Sequence, residues 1–167
     1  MLSKIFNMNI QIKDNFFSYP MYNKIIDECK DNWRTANKGV SVYKDLTDDF
    51  YTKECVRFIS ILFHKKFDIV RASALGVATN YRHRHHYDMT NKTTHTALFY
   101  VNQNWEPRWN GGTYFGEKLE QYVQFIPNRM VLFDVHNLKH CGSSFIPEAM
   151  EFRYILIWHL KEIKNVS

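Results

Sequence analysis

Histidine and aspartate are concentrated in the stretch Tyr81–Asn91, which reads YRHRHHYDMTN. Three of the eight histidines in the chain, His83, His85 and His86, fall within four positions, and Asp88 follows two residues after the last of them. Side chains two residues apart on a β-strand point to the same face, so His86 and Asp88 could act together. Both are metal-ligand types, and the alternatives are a basic surface patch or buried, hydrogen-bonded histidines.

A further metal ligand has to come from a distant part of the chain, and His140 is the candidate. It follows the apolar run Arg129–Val135 by a short connection and precedes Gly142, where a strand can bend near a site. Two imidazoles and one carboxylate on one face leave coordination positions open, as in the non-heme Fe(II) oxygenases. The same ligands could hold a catalytic zinc, and the pair His86 and Asp88 alone is a weakly specific motif.

An arginine is expected to enter the fold at Arg153, at the head of the apolar segment Phe152–Leu160. A guanidinium carried into a barrel by a strand is costly unless it meets an anion, and its fork fits a carboxylate through two hydrogen bonds. That anion is either a bound carboxylate or a structural acid such as Glu151 or Asp134.

The elements that would position these residues are helices in the first half of the chain and short strands in the second. Helical spacing of apolar residues predicts helices over Met21–Arg34 and Asp48–Lys66, the second capped by Asp48 or Asp49, after a first strand over Ile5–Ile12. Runs of β-branched and aromatic residues bounded by turn formers predict six further strands, at 69–81, 94–102, 112–115, 121–126, 129–135 and 153–160. The fold class is therefore α+β or mainly β, a sandwich or jelly roll buttressed by helices.

The composition suits one soluble domain. The 167 residues are 45% hydrophobic and carry a net charge of +5, with basic and acidic residues interspersed, which argues against a nucleic-acid partner. The three cysteines lack any CxxC spacing, so neither a disulfide framework nor a zinc ribbon is indicated. We find no signal-peptide pattern and no apolar stretch long enough to span a membrane, and we expect a cytoplasmic protein.

Four ordered blocks of the sequence resemble the prolyl-4-hydroxylase-like branch of the Fe(II)/2-oxoglutarate-dependent oxygenases. The blocks are HYD at 86–88, ALFYVNQNWEPRWNGGTYF at 97–115, PNRMVLFDVHNLKHCGSS at 127–144 and FRYILIWHL at 152–160. The resemblance covers about Thr79–Leu160, half of the chain. It implies a double-stranded β-helix with its core at about 69–162, helical support at about 1–68, and a single domain over residues 1–167.

The resemblance also implies the residues of the site. It places iron on His86, Asp88 and His140, the distal carboxylate of 2-oxoglutarate on Arg153, and an assisting role toward this cosubstrate on Tyr100. The implied activity is a dioxygenase that hydroxylates an aliphatic C–H bond and releases succinate and CO2. The carboxylate at Asp88 favours hydroxylation, because related halogenases carry a small residue there.

The implied cofactors are Fe(II) and 2-oxoglutarate, with ascorbate as an optional third. The substrate stays open between a prolyl residue of a peptide, a free amino acid and another small metabolite. The glycine that precedes HYD in many prolyl hydroxylases is missing, since there is none between Gly76 and Gly111. The richness in Asn, Lys and Ile would suit an AT-rich genome, including a viral one. Oligomeric state is not predicted.

Several residues and alternative functions remain open at the level of the sequence. The four residues with unassigned roles are His83, His85, Trp105 and Trp109; the two tryptophans either pack a turn or contact a substrate. His95 and His136 are rival metal ligands, but each would break the family order. The alternative functions are a cupin-like metal-binding barrel and a non-enzymatic binding module that uses the basic run Arg82–His85.

Overall fold

Two antiparallel β-sheets form the framework that carries the candidate ligands. The computed structural model describes residues 9–29, 34–37 (backbone only), 41–79, 84–88, 92–136, 138–146 and 152–163. Its strands are β1 Ile10–Lys13, β2 Arg34–Asn37, β3 Ser41–Asp45, β4 Phe67–Val77, β5 His95–Tyr100, β6 Thr113–Phe115, β7 Gln121–Val123, β8 Arg129–Asp134, β9 His140–Gly142 and β10 Arg153–Glu162. The large sheet has the order β1-β8-β5-β10-β4-β3-β2, and the small sheet the order β7-β6-β9.

Helices cover the outer face of the large sheet. Helix α1 spans Tyr19–Glu28, and a π-helical turn at Phe50–Glu54 leads into helix α2, Cys55–Leu62. The Asp48 carboxylate accepts a hydrogen bond from the backbone N–H of Phe50 at 2.7 Å, so the capping role predicted for it is confirmed. The helices present their apolar sides to the sheet and leave the opposite sheet face to the site.

The alternating side chains of β10 contribute to two apolar clusters. Leu156, Trp158 and Leu160 pack against the helices, whereas Ile155 packs between the two sheets. Trp158 is fully buried and donates a hydrogen bond from Nε1 to the Tyr51 carbonyl oxygen at 3.0 Å, which ties the helical layer to the centre of the large sheet. Because β10 is buried on both faces, it reads in the sequence as a nearly continuous apolar run.

The predicted jelly roll with helical support is confirmed, and several boundaries are corrected. Helix α1 ends at Glu28, and Arg34, predicted as helical, lies in β2 opposite Tyr43, because pairing with β3 outweighs the helical pattern. Helix α2 ends at Leu62 instead of Lys66, since His64 adopts a left-handed φ of 53° that no α-helix continues. The sequence patterns did not reveal β2, β3 or β9.

The first predicted strand, Ile5–Ile12, is observed from Ile10 onward, and its residues before position 9 lie outside the described part of the chain. All three cysteines have free thiols and are buried. Among the described residues, no helix combines the length and the apolar character that a membrane crossing requires.

Replacing Leu156 by alanine should destabilise the protein by about 2–5 kcal/mol, because this fully buried side chain sits on the central strand and leaves a cavity. Urea unfolding followed by circular dichroism measures the loss. The control is Val70→Ala on the neighbouring strand, where the side chain is 37% exposed and a change within about 0.5 kcal/mol is expected. Equal losses in both variants would contradict the assignment of the core.

Candidate metal centre

His86 and His140 are joined through their backbones. The N–H of each residue donates to the carbonyl oxygen of the other, at 3.0 Å from His86 and 2.9 Å from His140. His140 lies in β9 of the small sheet, whereas His86 forms only this isolated bridge. The expectation that HYD lies in a strand is therefore wrong beyond a single residue pair, yet this pair of hydrogen bonds places both imidazoles side by side.

The three ligands proposed from the sequence converge in space. The Nε2 atom of His86 lies 3.3 Å from Oδ1 of Asp88, and the Nε2 atom of His140 lies 3.5 Å from Oδ2 of the same carboxylate. One nitrogen from each histidine and one oxygen from Asp88 all lie within 4.8 Å of one another, close enough to hold one metal ion. Two imidazoles and one carboxylate on one side of a cation form the facial arrangement.

Two of the three candidate ligands, Asp88 and His140, are held in the protonation state that binds a cation. Burial raises the pKa of Asp88, but contacts from His159 and His86 and the charge of His140 outweigh this effect and lower the pKa below its usual range. Burial lowers the pKa of His140 to about 4, despite the opposing charge of Asp88. Near neutral pH, Asp88 is therefore an anion and His140 a neutral imidazole, which are the protonation states of metal ligands.

The ring of His86 is also oriented by a backbone contact at its other nitrogen, Nδ1. Its Nδ1 atom lies 2.7 Å from the carbonyl oxygen of Arg84, an oxygen that can only accept a hydrogen bond. When Nε2 serves as a metal ligand, the ring proton therefore resides on Nδ1 and is donated to this oxygen. The backbone segment that carries the ligand thus supplies the acceptor that this tautomer needs.

Arg153 enters the same cavity from the first residue of β10 and is 2% exposed. Its Nη1 donates to the carbonyl oxygens of Gly111 at 2.7 Å, Gly112 at 3.2 Å and Ser143 at 3.3 Å. Its Nε atom is buried and has no hydrogen-bond partner among the described residues. Burial lowers its pKa to about 10, so it is charged at neutral pH.

No acidic side chain in the described part of the chain forms an ion pair with Arg153. Asp134, one of the structural acids considered for it, instead accepts hydrogen bonds from the backbone and ring of His136. Glu151, the other, lies outside the described residues. The guanidinium leaves no room for a side chain at position 142, because a Cβ atom on Gly142 would come within 2.4 Å of Nη2 of Arg153.

A cavity of about 260 Å³ connects the ligand cluster with Arg153. Its walls come mainly from the inward faces of β3, β4, β5 and β10 in the large sheet and from β6 and β9 in the small sheet. The lining residues are Tyr43, Arg71, Ser73, Leu75, His86, Asp88, Leu98, Thr113, His140, Gly142, Arg153, Ile155, Ile157 and His159. The candidate histidine and carboxylate ligands thus share one mostly apolar cavity with the buried guanidinium of Arg153.

Tyr100, expected to assist a cosubstrate, lies behind the cavity wall. It is fully buried on β5, its ring stacks on Phe125, and its hydroxyl donates to Thr113 Oγ1 at 2.9 Å. Burial raises its pKa to about 12, with the hydrogen bond to Thr113 and the charge of Arg153 opposing. Thr113, which the sequence analysis missed, is the residue of this pair that lines the cavity.

The rival histidines lie away from the ligand cluster. His95 is buried near the end of β10, with Nε2 3.7 Å from Glu162 Oε2, and exposed His136 bonds Asp134. His85 has a buried Nε2 without a partner among the described residues, while Arg82 and His83 lie outside them. His159 was missed entirely, although its Nε2 lies 3.6 Å from Asp88 Oδ2.

The two tryptophans of the loop differ in their surroundings. Trp105 is 3% exposed, donates to the Asn110 carbonyl oxygen at 2.8 Å and contacts the ring of Phe145, so it packs the turn. Trp109 is half-buried and meets Trp105 edge to face. Gly111, at the end of this loop, has a φ of 80°, which explains why the turn into β6 needs glycine.

Structural comparison identifies proteins with the same arrangement of sheets. The chain superimposes on a prolyl-4-hydroxylase from Pseudomonas putida with a TM-score of 0.71, covering 95% of each chain at 14% identity. The chain has the fold of the prolyl-4-hydroxylase-like 2-oxoglutarate oxygenases. No protein-family model and no curated protein matches the sequence.

Two further structures support this fold. A viral collagen prolyl hydroxylase from Paramecium bursaria Chlorella virus-1, in complex with 2-oxoglutarate, matches at a TM-score of 0.66 and 16% identity, over 95% of this chain and 98% of that one. An oxidoreductase of the 2OG-Fe(II) oxygenase family from Burkholderia pseudomallei matches at a TM-score of 0.70 and 9% identity, over 92% and 84%. At these identities the 2-oxoglutarate-oxygenase fold is established, while the activity has to be argued from the site.

With Zn(II) bound as a diamagnetic metal ion, His86 should carry its ring proton on Nδ1, because Nε2 is then a ligand and the Arg84 carbonyl oxygen accepts the proton on the other nitrogen. Two-bond ¹⁵N–¹H correlation spectra of ¹⁵N-histidine-labelled protein distinguish the two tautomers, and the spectrum of His86→Gln assigns the signal. A signal from the Nε2-protonated form would mean that the backbone does not orient this ligand.

Proposed function

We propose that the protein is an Fe(II)- and 2-oxoglutarate-dependent dioxygenase that hydroxylates an aliphatic C–H bond and releases succinate and CO2. One observation carries the proposal. A single cavity holds the cluster of His86, Asp88 and His140 together with the buried guanidinium of Arg153, for which the described residues supply no counter-anion. An isolated buried charge is costly, so this arrangement favours a ligand that brings a carboxylate.

The donor set fits iron. The two Nε2 atoms and the carboxylate are borderline and hard ligands that suit Fe(II), and three protein ligands on one side leave positions for a chelating cosubstrate. Iron with 2-oxoglutarate supplies the activation of dioxygen, with oxidative decarboxylation of the keto acid providing two electrons. The protein's contribution is to hold, orient and shield these groups.

Arg153 has the geometry to orient 2-oxoglutarate. Its Nη1 is fixed by the carbonyl oxygens of Gly111, Gly112 and Ser143, which leaves the unpartnered Nε side of the guanidinium for a carboxylate. A charge-assisted hydrogen bond to a buried guanidinium is stronger than a neutral one. The hydroxyl of Thr113 on the same wall, held by Tyr100, offers a further polar contact to the same carboxylate.

The apolar walls between the two ends of the cavity keep water out. Leu98, Ile155 and Ile157 lie between the ligand cluster and Arg153 on the face of the large sheet that faces the site. Exclusion of water strengthens electrostatic contacts inside the chamber and protects reactive species from side reactions. In this view, the carboxylate of Asp88, which completes the ligand set, favours hydroxylation over halogenation.

The candidate substrates are a prolyl residue of a peptide and a free amino acid. Two of the structures that share the fold are named prolyl hydroxylases, which supports the first. The side chain of His86 is 44% exposed, so the ligand cluster can be reached from the surface. Tyr43 and Arg71 lie on the outer part of the wall and are the side chains a substrate would meet there.

Anaerobic addition of Fe(II) and 2-oxoglutarate should produce the visible metal-to-ligand charge-transfer band of a keto acid chelated to Fe(II). The variant His140→Ala should lose this band, because a ligand nitrogen is removed. The matched control is His136→Ala, which removes an exposed histidine bonded to Asp134 and should retain the band. Circular dichroism confirms that all three proteins are folded.

Absence of the band in folded wild-type protein would refute the proposed loading of the site. If the band were retained in His140→Ala and lost in His136→Ala, the metal ligand would be His136 and not His140. Once the band is established, succinate released under oxygen in the presence of prolyl peptides or free amino acids ranks the substrates. Succinate formation would also exclude a cupin-like barrel without 2-oxoglutarate chemistry.

The variant Arg153→Met should weaken 2-oxoglutarate binding by roughly 10- to 100-fold, as expected when a charged hydrogen bond worth about 1.5–3 kcal/mol is lost. The charge-transfer titration measures this change. The matched ligand is 2-oxovalerate, which keeps the keto-acid head and chain length but ends in a methyl group. Wild-type protein should prefer 2-oxoglutarate by a similar factor, and Arg153→Met should show little preference.

An unchanged preference in Arg153→Met would show that Arg153 does not bind the distal carboxylate. Since Arg153 also donates to three backbone carbonyl oxygens, the methionine variant could lose its fold. Gly142→Ala then serves as an independent test, because its Cβ would collide with Nη2 and displace the guanidinium. It should reduce the preference for 2-oxoglutarate in the same direction.

A further inference from the structure

His159 lies beside the three candidate ligands but outside the cluster that they form. Its Nε2 atom is 3.6 Å from Oδ2 of Asp88, and its side chain is 21% exposed on the cavity wall. Among the described residues, the group whose ligand atoms all lie close enough together for one cation contains His86, Asp88 and His140 only. The position of His159 therefore indicates a contact with a ligand and not a fourth ligand.

The strand register explains why His159 reaches Asp88. Along β10, the residues at 153, 155, 157 and 159 face the cavity, so His159 shares a face with Arg153 at the opposite end of the strand. Directly across the ladder on β5 lies Thr96. Cross-strand neighbours have their Cβ atoms about 4.5–5.5 Å apart, so two such side chains can reach the same group.

His159 and Thr96 both approach the same oxygen of Asp88. The Thr96 hydroxyl donates to Oδ2 at 2.8 Å, and Nε2 of His159 approaches this oxygen as well. Oδ1, in contrast, is contacted by Nε2 of His86 at 3.3 Å. The two oxygens of the carboxylate therefore have different surroundings: Oδ1 faces His86, whereas Oδ2 faces His140 of the small sheet and is also contacted from the large sheet.

We propose that His159 is a positioning residue of the metal centre: together with Thr96 it holds Oδ2 of Asp88 and thereby fixes the orientation of the carboxylate toward the cation. The inference rests on the metal site of the proposed function. At 3.6 Å the contact is longer than a formed hydrogen bond, and we expect it to shorten when a cation fixes the carboxylate, as hydrogen bonds in loaded sites commonly do. Partners of this kind contribute about 10- to 100-fold to metal affinity.

Three variants of His159 separate positioning from other roles. Glutamine places its amide nitrogen about where Nε2 of histidine lies, asparagine is too short to do so, and phenylalanine keeps the ring but cannot donate. Mn(II) binding, measured from the decrease of the free-ion EPR signal, needs neither oxygen nor 2-oxoglutarate. We expect the phenylalanine and asparagine variants to lose about 10- to 100-fold in affinity, and His159→Gln to retain most of it.

The control is His136→Gln, because His136 is an exposed histidine whose ring contacts Asp134 rather than Asp88. It removes an imidazole outside the cavity and should bind Mn(II) as the wild type does. Thr96→Val removes the other donor to Oδ2 and should weaken binding in the same range as His159→Phe. Circular dichroism establishes the fold of each variant.

The outcomes distinguish this inference from the function on which it rests. If the wild-type protein binds no Mn(II), the proposed metal site itself is refuted. Wild-type binding that persists unchanged in His159→Phe and His159→Asn would overturn the positioning role alone. Equal losses in all three His159 variants, glutamine included, would also overturn it, since they would make the imidazole nitrogen itself a ligand. If His159→Phe does not fold, the difference in Mn(II) affinity between His159→Gln and His159→Asn tests the positioning role.

Discussion

A carboxylate withdrawn from water is the constraint on which this structure depends. The side chain of Asp88 is 11% exposed, and a buried carboxylate is tolerated only where hydrogen bonds or opposite charges replace its hydration. His86, His140, His159 and Thr96 all turn toward it, and apart from its near neighbour His86 they come from three different strands. Satisfying this one group therefore brings the two sheets and the 84–88 segment into a single arrangement.

Arg153 is the second link between the sheets, at the other end of the cavity. It starts on the large sheet, and its guanidinium is hydrogen-bonded to carbonyl oxygens that flank the small sheet, at Gly111, Gly112 and Ser143. The anion at one end of the chamber and the cation at the other are separated by aliphatic walls. Such a chamber suits a ligand with a chelating head and a charged tail, in keeping with the proposed function.

The sequence predicted β4, β5, β8 and β10 of the large sheet well because they are long apolar runs, and the resemblance indicated His86, Asp88 and His140. Short elements were missed: β9 has three residues, and β3 has five whose alternation is weak. His159 was missed for a different reason. Inside an apolar strand it looks like any one of eight histidines, and only the register with Thr96 shows which carboxylate it meets. Thr113 likewise could be recognised as a cavity residue only from the structure, where it accepts the hydrogen bond from Tyr100.

Strand β10 carries Arg153 at one end of the cavity and His159 near the other, and between them it pairs with β4 throughout and with β5 from Ile155 onward. Successive side chains of a strand alternate between its two faces, so the six-residue spacing between them (159 − 153) keeps both on the same side. Deletion or insertion of one residue within this span would move the side chain of Arg153 or His159 to the opposite face of the sheet, toward the helices. Length variation among descendants of this sequence should therefore accumulate in the loops and spare this segment, even where its individual residues change.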